Sequence, residues 1–297
     1  MSILIGMRLL VSSSLIFLSV FSPAFSQTPG NESRTVPLFR VTVVQRSLKA
    51  VNYQHRSGPT RVDMKGTVLL PKAEGEAKVE VKNGYTEIDA TFKHVDAPTQ
   101  FGTEFLTYVL WAITPDGRAI NLGELIADPS NKAKMRVTSP FSTFGLIVTA
   151  EPYFSVPYPS DLVVMENVLR ADTVGRVEDI EAKYDLLPRG QYTLNIKPQD
   201  LPSARMKIDS GVSMPEYEAV LELYQARNAV QLAKADGADQ YAADTFNRAQ
   251  QYLNDAEARY ARKTDYNTVT TTARQAVQAA ADARAITMRK KAQPPHK

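Results

Sequence analysis

The chain has 297 residues, 43% of them hydrophobic and 23% charged, with 14 Gly, 18 Pro and no Cys. This is ordinary globular composition, which excludes collagen-like, wholly disordered and multi-spanning membrane classes; the lack of Cys excludes disulfide staples, thiolate metal sites and a cysteine nucleophile. Lys+Arg 35 against Asp+Glu 32 leaves a formal charge of +3, too small to point to nucleic acid as a partner.

Arg8, the 13-residue apolar run Leu9 to Phe21 and the small residues of Ala24-Phe25-Ser26 follow each other as in an export signal. Residues 1–26 read as a signal peptide cut between Ser26 and Gln27. The apolar run would reach about 20 Å as a helix, short of a bilayer core about 30 Å thick, so a permanent span is disfavoured; an uncleaved anchor is the alternative. No Cys follows it, so the expected mature protein is periplasmic or secreted and is not a lipoprotein.

Proline divides the rest. Fifteen of the 18 prolines lie between Pro29 and Pro215, whereas residues 216–293 contain none. Helix interiors reject proline and sheet edges and turns accept it. The expected organisation is a flexible linker over 27–35, a β-sandwich domain over 36–200, a linker over 201–213, an alanine-rich three-helix domain over 214–292 and a tail over 293–297.

Within 36–200 the apolar period is two. Lys78 to Lys82 and Glu87 to Lys93 alternate charged and apolar side chains around Asn83-Gly84, which predicts a hairpin with a type I′ turn. Pairing Lys82 with Tyr85 puts Val79 opposite Ile88 and Ala77 opposite Ala90, so the apolar faces coincide. A second hairpin is predicted from Glu104–Thr114 and Arg118–Ile126 around Pro115-Asp116-Gly117. Further strands are expected at Leu38–Arg46, Thr67–Leu70, Met135–Thr138, Phe144–Ala150, Leu162–Val168 and Gln191–Ile196, and a short helix at Val177–Tyr184. The fold class is thus an antiparallel sandwich followed by helices.

The run Tyr108-Val109-Leu110-Trp111-Ala112-Ile113-Thr114-Pro115-Asp116-Gly117, continuing to Asn121-Leu122-Gly123-Glu124-Leu125, resembles the extracytoplasmic domain of anti-sigma-K factors. The likeness covers about residues 75–150 and implies an immunoglobulin-like β-sandwich. The sigma-binding segment and transmembrane helix of that family have no counterpart, so transcriptional regulation is not implied.

Beyond Ser213 the period becomes seven. Ser213-Met214-Pro215-Glu216 fits a capping box, and Asp236-Gly237 a stop. Ala219, Leu223, Ala226, Val230 and Ala233 form one seam. Ala242, Phe246, Ala249, Leu253, Ala256 and Tyr260 form a second, in a helix of about 25 residues and about 37 Å. Tyr266, Val269, Ala273, Ala276, Ala280 and Ala283 form a third. Short connections make neighbouring helices antiparallel. The 19 alanines of residues 216–291 give an elongated element with a thin core, which calls for support from the sandwich, a partner or self-association.

The pattern Ala238-x-x-Tyr241-Ala242-x-Asp244, continuing through Ala249, Leu253 and Ala256, resembles an alanine-rich helical domain of unknown function found in bacterial envelope proteins, often beside OmpA-like domains. The likeness covers nearly all of residues 216–292. No OmpA-like sequence accompanies it, so direct peptidoglycan anchoring is not expected.

The chain carries no His-Glu-x-x-His, Gly-x-Ser-x-Gly, phosphate-binding glycine loop or dinucleotide fingerprint. His55 and His94 could meet across a sheet at a metal, but scattered solvated histidines are the commoner outcome; no metal or cofactor is expected. Glu178, Asp179 and Glu181 read as solvated charge rather than glycosidase acids. Arg289-Lys290-Lys291 suits a helix C-terminus and could touch an anionic surface.

In Pro152-Tyr153-Phe154-Ser155-Val156-Pro157-Tyr158-Pro159, prolines hold aromatic rings that could stack on sugars, anchor a partner or cap the sandwich core. Tyr153, Phe154 and Tyr158 are the candidate partner or glycan contacts. The resulting expectation is a noncatalytic envelope scaffold or interaction protein, engaging envelope proteins or cell-wall polymers, with self-association through the helices open. The alternatives are a carbohydrate-binding module using the 152–159 loop and a hydrolase, which would need carboxylates converging in one cleft.

Overall fold

The structure, a computed structural model, describes residues 47–54, 58–171, 173, 176–181, 213–263 and 265–292. The expected signal peptide, the strands expected at Leu38–Arg46 and Gln191–Ile196, the expected linkers apart from Ser213, His55, the tail with His296 and the side chains of Glu178, Asp179 and Glu181 lie outside the described residues.

Among the described residues ten antiparallel strands come first: β1 (Ser47–Asn52), β2 (Thr60–Gly66), β3 (Glu74–Lys82), β4 (Tyr85–Lys93), β5 (Thr107–Ile113), β6 (Ala119–Leu125), β7 (Ala133–Ser139), β8 (Thr143–Glu151), β9 (Val163–Val168) and β10 (Arg176–Glu181). The main path runs β6-β5-β8-β9-β2-β3-β4-β7, with β1 beside β8 and β10 outside β1. Since β7 returns beside β6, the sandwich curls toward a barrel around one apolar interior.

The first hairpin has the expected register, Lys82 opposite Tyr85, Val79 opposite Ile88 and Ala77 opposite Ala90. All four apolar side chains are buried. Its turn differs: Gly84 has φ 90° while Asn83 stays at negative φ. Positive φ at the second central position alone is the pattern of a type II turn, not of type I′. The second hairpin pairs β5 with β6 and carries a bulge between Leu110 and Trp111.

One strand expectation and the helix expectation at Val177–Tyr184 change. Thr67–Leu70 is a turn, and the strand lies just upstream as β2; the buried Thr67 hydroxyl donates to the carbonyl of Val163 at 2.8 Å. Residues 176–181 form β10, not a helix, because β1 supplies a full antiparallel ladder from Ser47 opposite Glu181 to Asn52 opposite Arg176. A local helical pattern cannot report such a distant partner.

Four helices follow: α1 (Met214–Ala235), the single turn α2 (Ala238–Tyr241), α3 (Ala243–Ala261) and α4 (Tyr266–Ala292). Ser213 caps α1, its hydroxyl accepting from the amide of Glu216 at 3.3 Å. Gly237 turns the chain at φ 86°, a conformation that costs glycine little. The expected 25-residue second helix is broken at Ala242, which leaves helical geometry at φ −141° and ψ 41°, leaving 19 residues for α3 and about 28 Å. Along the three predicted seams every residue is buried except Leu253, Tyr260 and Tyr266, which are half-buried.

Alternation in β5 then determines where the helices sit. Its seven residues are all buried. Tyr108, Leu110 and Ala112 face the β interior, whereas Val109, Trp111 and Ile113 join one apolar cluster with Ala219, Leu223, Ala226, Val230 and Ala276. Both faces of a strand can be apolar only when both are covered. The helical layer covers the outer face of β5 and β8, so the sandwich supplies the support the thin alanine core requires. Among the described residues no helix is long and apolar enough to cross a membrane.

Candidate functional site at the helix–sheet junction

The loop 152–159 lies at this junction, and it is gripped from both sides. Asn228 on α1 donates through Nδ2 to the carbonyls of Glu104 and Pro152, each at 3.1 Å. Gln225, one turn earlier, accepts from the amide of Phe154 at 2.7 Å. From β6, Asn121 donates to the carbonyls of Phe154 at 2.8 Å and Val156 at 3.1 Å. Ser155 donates to Gln278 of α4 at 3.0 Å. Side-chain amides thus satisfy loop groups that a buried loop would otherwise leave unpaired.

The three candidate contact residues separate. Tyr153 is fully buried, its hydroxyl accepting from Nη1 of Arg284 at 2.6 Å. Phe154 is half-buried, with the Arg274 guanidinium 4.0 Å from its ring centroid, a cation–π arrangement. Tyr158 is exposed at 39%. Two of the rings therefore contact the chain's own helices. Trp111 is also buried, donating through Nε1 to Thr149 at 2.8 Å.

Two arginines of α4 hold the charge at the junction. Arg284, fully buried, joins Asp236 at 2.6 Å to Tyr153. Arg274 donates through Nη1 to Glu124 of β6 at 2.9 Å and to Glu222 of α1. Both carboxylates have side chains only 3% exposed. Glu124 also accepts from Thr107 at 2.7 Å and from Gln225 at 2.6 Å, while Oε2 of Glu222 has no partner. Burial, followed by the neighbouring Glu124, pushes the Glu222 carboxyl well above the ordinary range; Arg274 pulls it back.

A third acid lies at the end of β8. Glu151 accepts from the Thr149 hydroxyl and, at 2.7 Å, from the amide of Ser160. It is fully buried, its Oε2 lacks a partner, and burial pushes its pKa up to about 8 against the pull of those bonds.

The sequence had not marked Glu124, Glu151, Glu222, Gln225, Asn228, Arg274 or Arg284. One signal was present: Leu221, Tyr224, Asn228 and Leu232 form a second stripe of larger side chains beside the alanine seam of α1, and all four are buried. A helix with two such stripes is buried on two sides.

Glu124 and Glu222 do converge here, but they are enclosed and bridged by Arg274. Among the described residues no group of three or more His, Asp or Glu side chains is placed to hold a metal ion; His94 is exposed, at φ 57°.

Residues 221–294 match the family model of a domain of unknown function, DUF4398. That match spans the helical segment from the second turn of α1 to beyond α4. No curated protein and no solved structure shows significant similarity to the chain.

Proposed function

We propose that the protein is a noncatalytic scaffold of the bacterial cell envelope, exported by its N-terminal signal and presenting sandwich and helices to envelope partners as a joined body. The observation that carries this reading is the way the junction spends its chemistry. Arg274 is engaged by Glu124 and Glu222, Arg284 by Asp236 and Tyr153, and Asn228 by two loop carbonyls. Groups held this way position elements; they are not free to attack or protonate a substrate. The resemblance of residues 216–292 to helical domains of envelope proteins, and of residues 75–150 to the extracytoplasmic part of anti-sigma-K factors, supports the same compartment.

Photo-crosslinking in intact cells from Tyr158 and from Tyr241, both exposed, combined with fractionation, tests the proposal. Recovery of envelope proteins in the extracytoplasmic fraction is expected; a cytoplasmic chain, or a monomer without crosslinks, overturns it. The carbohydrate-binding alternative now rests on Tyr158, the exposed ring of its loop. It requires binding to purified polysaccharide that Tyr158→Ala abolishes.

A further inference from the structure

Three elements meet at one guanidinium. Arg274 of α4 reaches Glu124 of β6 and Glu222 of α1 through the same nitrogen, Nη1. Two carboxylates enclosed to 3% exposure against a single cation leave one negative charge in excess if both ionise. An uncompensated buried charge is costly, and like charges sharing a site seldom ionise together. Glu124 is the better supported of the pair, since Thr107 and Gln225 donate to its Oε1 while Arg274 holds Oε2. Glu222 has an oxygen without a partner, so it is the acid that keeps its proton.

We propose that Glu124, Glu222 and Arg274 form a pH-sensitive latch, which holds the helices on the β-domain while Glu222 is protonated and loosens when it ionises. The charged groups facing Glu222 are Glu124 from β6 and Arg274 from α4. β5 brings the uncharged Thr107 to Glu124, and the loop after β8 brings the Phe154 ring to Arg274. Among the described residues Arg274 is the cation paired with Glu124 and Glu222, so ionisation adds repulsion that these groups do not neutralise. The direction follows from linkage: an acid whose proton is held more tightly in the closed state favours that state at low pH. The advantage is lost as pH rises from the open-state carboxyl value through the closed-state value, by up to about tenfold in the opening equilibrium per pH unit.

Amide hydrogen exchange of the intact protein at pH 5.5 and 8.5, corrected for intrinsic rates, tests the latch. Wild type is expected to lose protection in α1 and α4 at pH 8.5 while β3 and β4 keep theirs. Glu222→Gln, which mimics the protonated acid, should retain protection in α1 and α4 at both values. Because Glu151 titrates with the same sign, Glu151→Gln serves as the control and should leave the α1 and α4 loss in place. Protection in Glu222→Gln that falls with pH as in wild type overturns the proposal, as does a uniform loss over strands and helices that Glu222→Gln leaves unaltered. Should Glu222→Gln not fold, carbon-13 titration of the wild-type Glu222 carboxyl decides: a midpoint in the ordinary glutamate range overturns the latch, and one well above it supports the latch.

Discussion

At the scale of single residues, burial reverses what a polar side chain looks like in sequence. Arg284 stands in a charged, alanine-rich helix like any solvated arginine, yet it is fully buried between Asp236 and Tyr153. Arg284→Ala leaves Asp236 without its cation and should cost about 3–5 kcal/mol. Tyr153→Phe removes a single acceptor and should cost about 1–3 kcal/mol. Urea unfolding followed through Trp111, the only tryptophan, measures both, and Arg284→Ala should have the larger effect. Glu151 adds a pH dependence to the global stability. Its folded pKa, about 8, lies above the ordinary glutamate value, so its contribution is complete in acid and is lost as pH rises from the unfolded carboxyl value through about 8. Glu151→Gln should flatten that part of the stability profile; a profile as steep as that of wild type would refute the assignment.

Among the elements, those legible from sequence are the ones whose pattern is local. The β3–β4 hairpin needed only alternation and Asn83-Gly84 to set its register, and α1 needed only its cap, its seam and Gly237 to set both ends. β10 was misread because its strand partner, β1, lies far away in the chain. The break before α3 was missed because Ala242 carries no breaker signal; it is buried on the predicted seam but its backbone, at φ −141° and ψ 41°, is not helical. The seams make a mutational test simple. Ala226 and Ala276 are fully buried in the cluster shared by helices and sheet, so Ala226→Leu or Ala276→Leu should overpack it and cost about 1–3 kcal/mol. Thermal unfolding checks this. Gln250→Leu, on the exposed face of α3, should leave the stability within about 0.5 kcal/mol of wild type.

For the molecule as a whole, the described strands and helices belong to one compact unit, joined by apolar contact along β5 and by the polar grip on loop 152–159. A separate reaching element is not what the helices form. Residues 213–292 expressed alone would expose Leu221, Tyr224 and Leu232, all buried in the intact chain. That segment should lose helicity or self-associate, as read by circular dichroism and sedimentation; a stable, monomeric three-helix fold would show that the sandwich is dispensable.

Periodicity, proline placement and turn chemistry determined the division into a sheet domain and an alanine-seamed helical domain, because each depends on neighbours a few residues away. Only the tertiary structure decided what the aromatic loop touches, which polar side chains are buried and how their protons are held. Those properties arise from α1 and α4 meeting β5, β6 and β8 across separations of 70 to 150 residues, where desolvation and pairing depend on the assembled surroundings rather than on residue type.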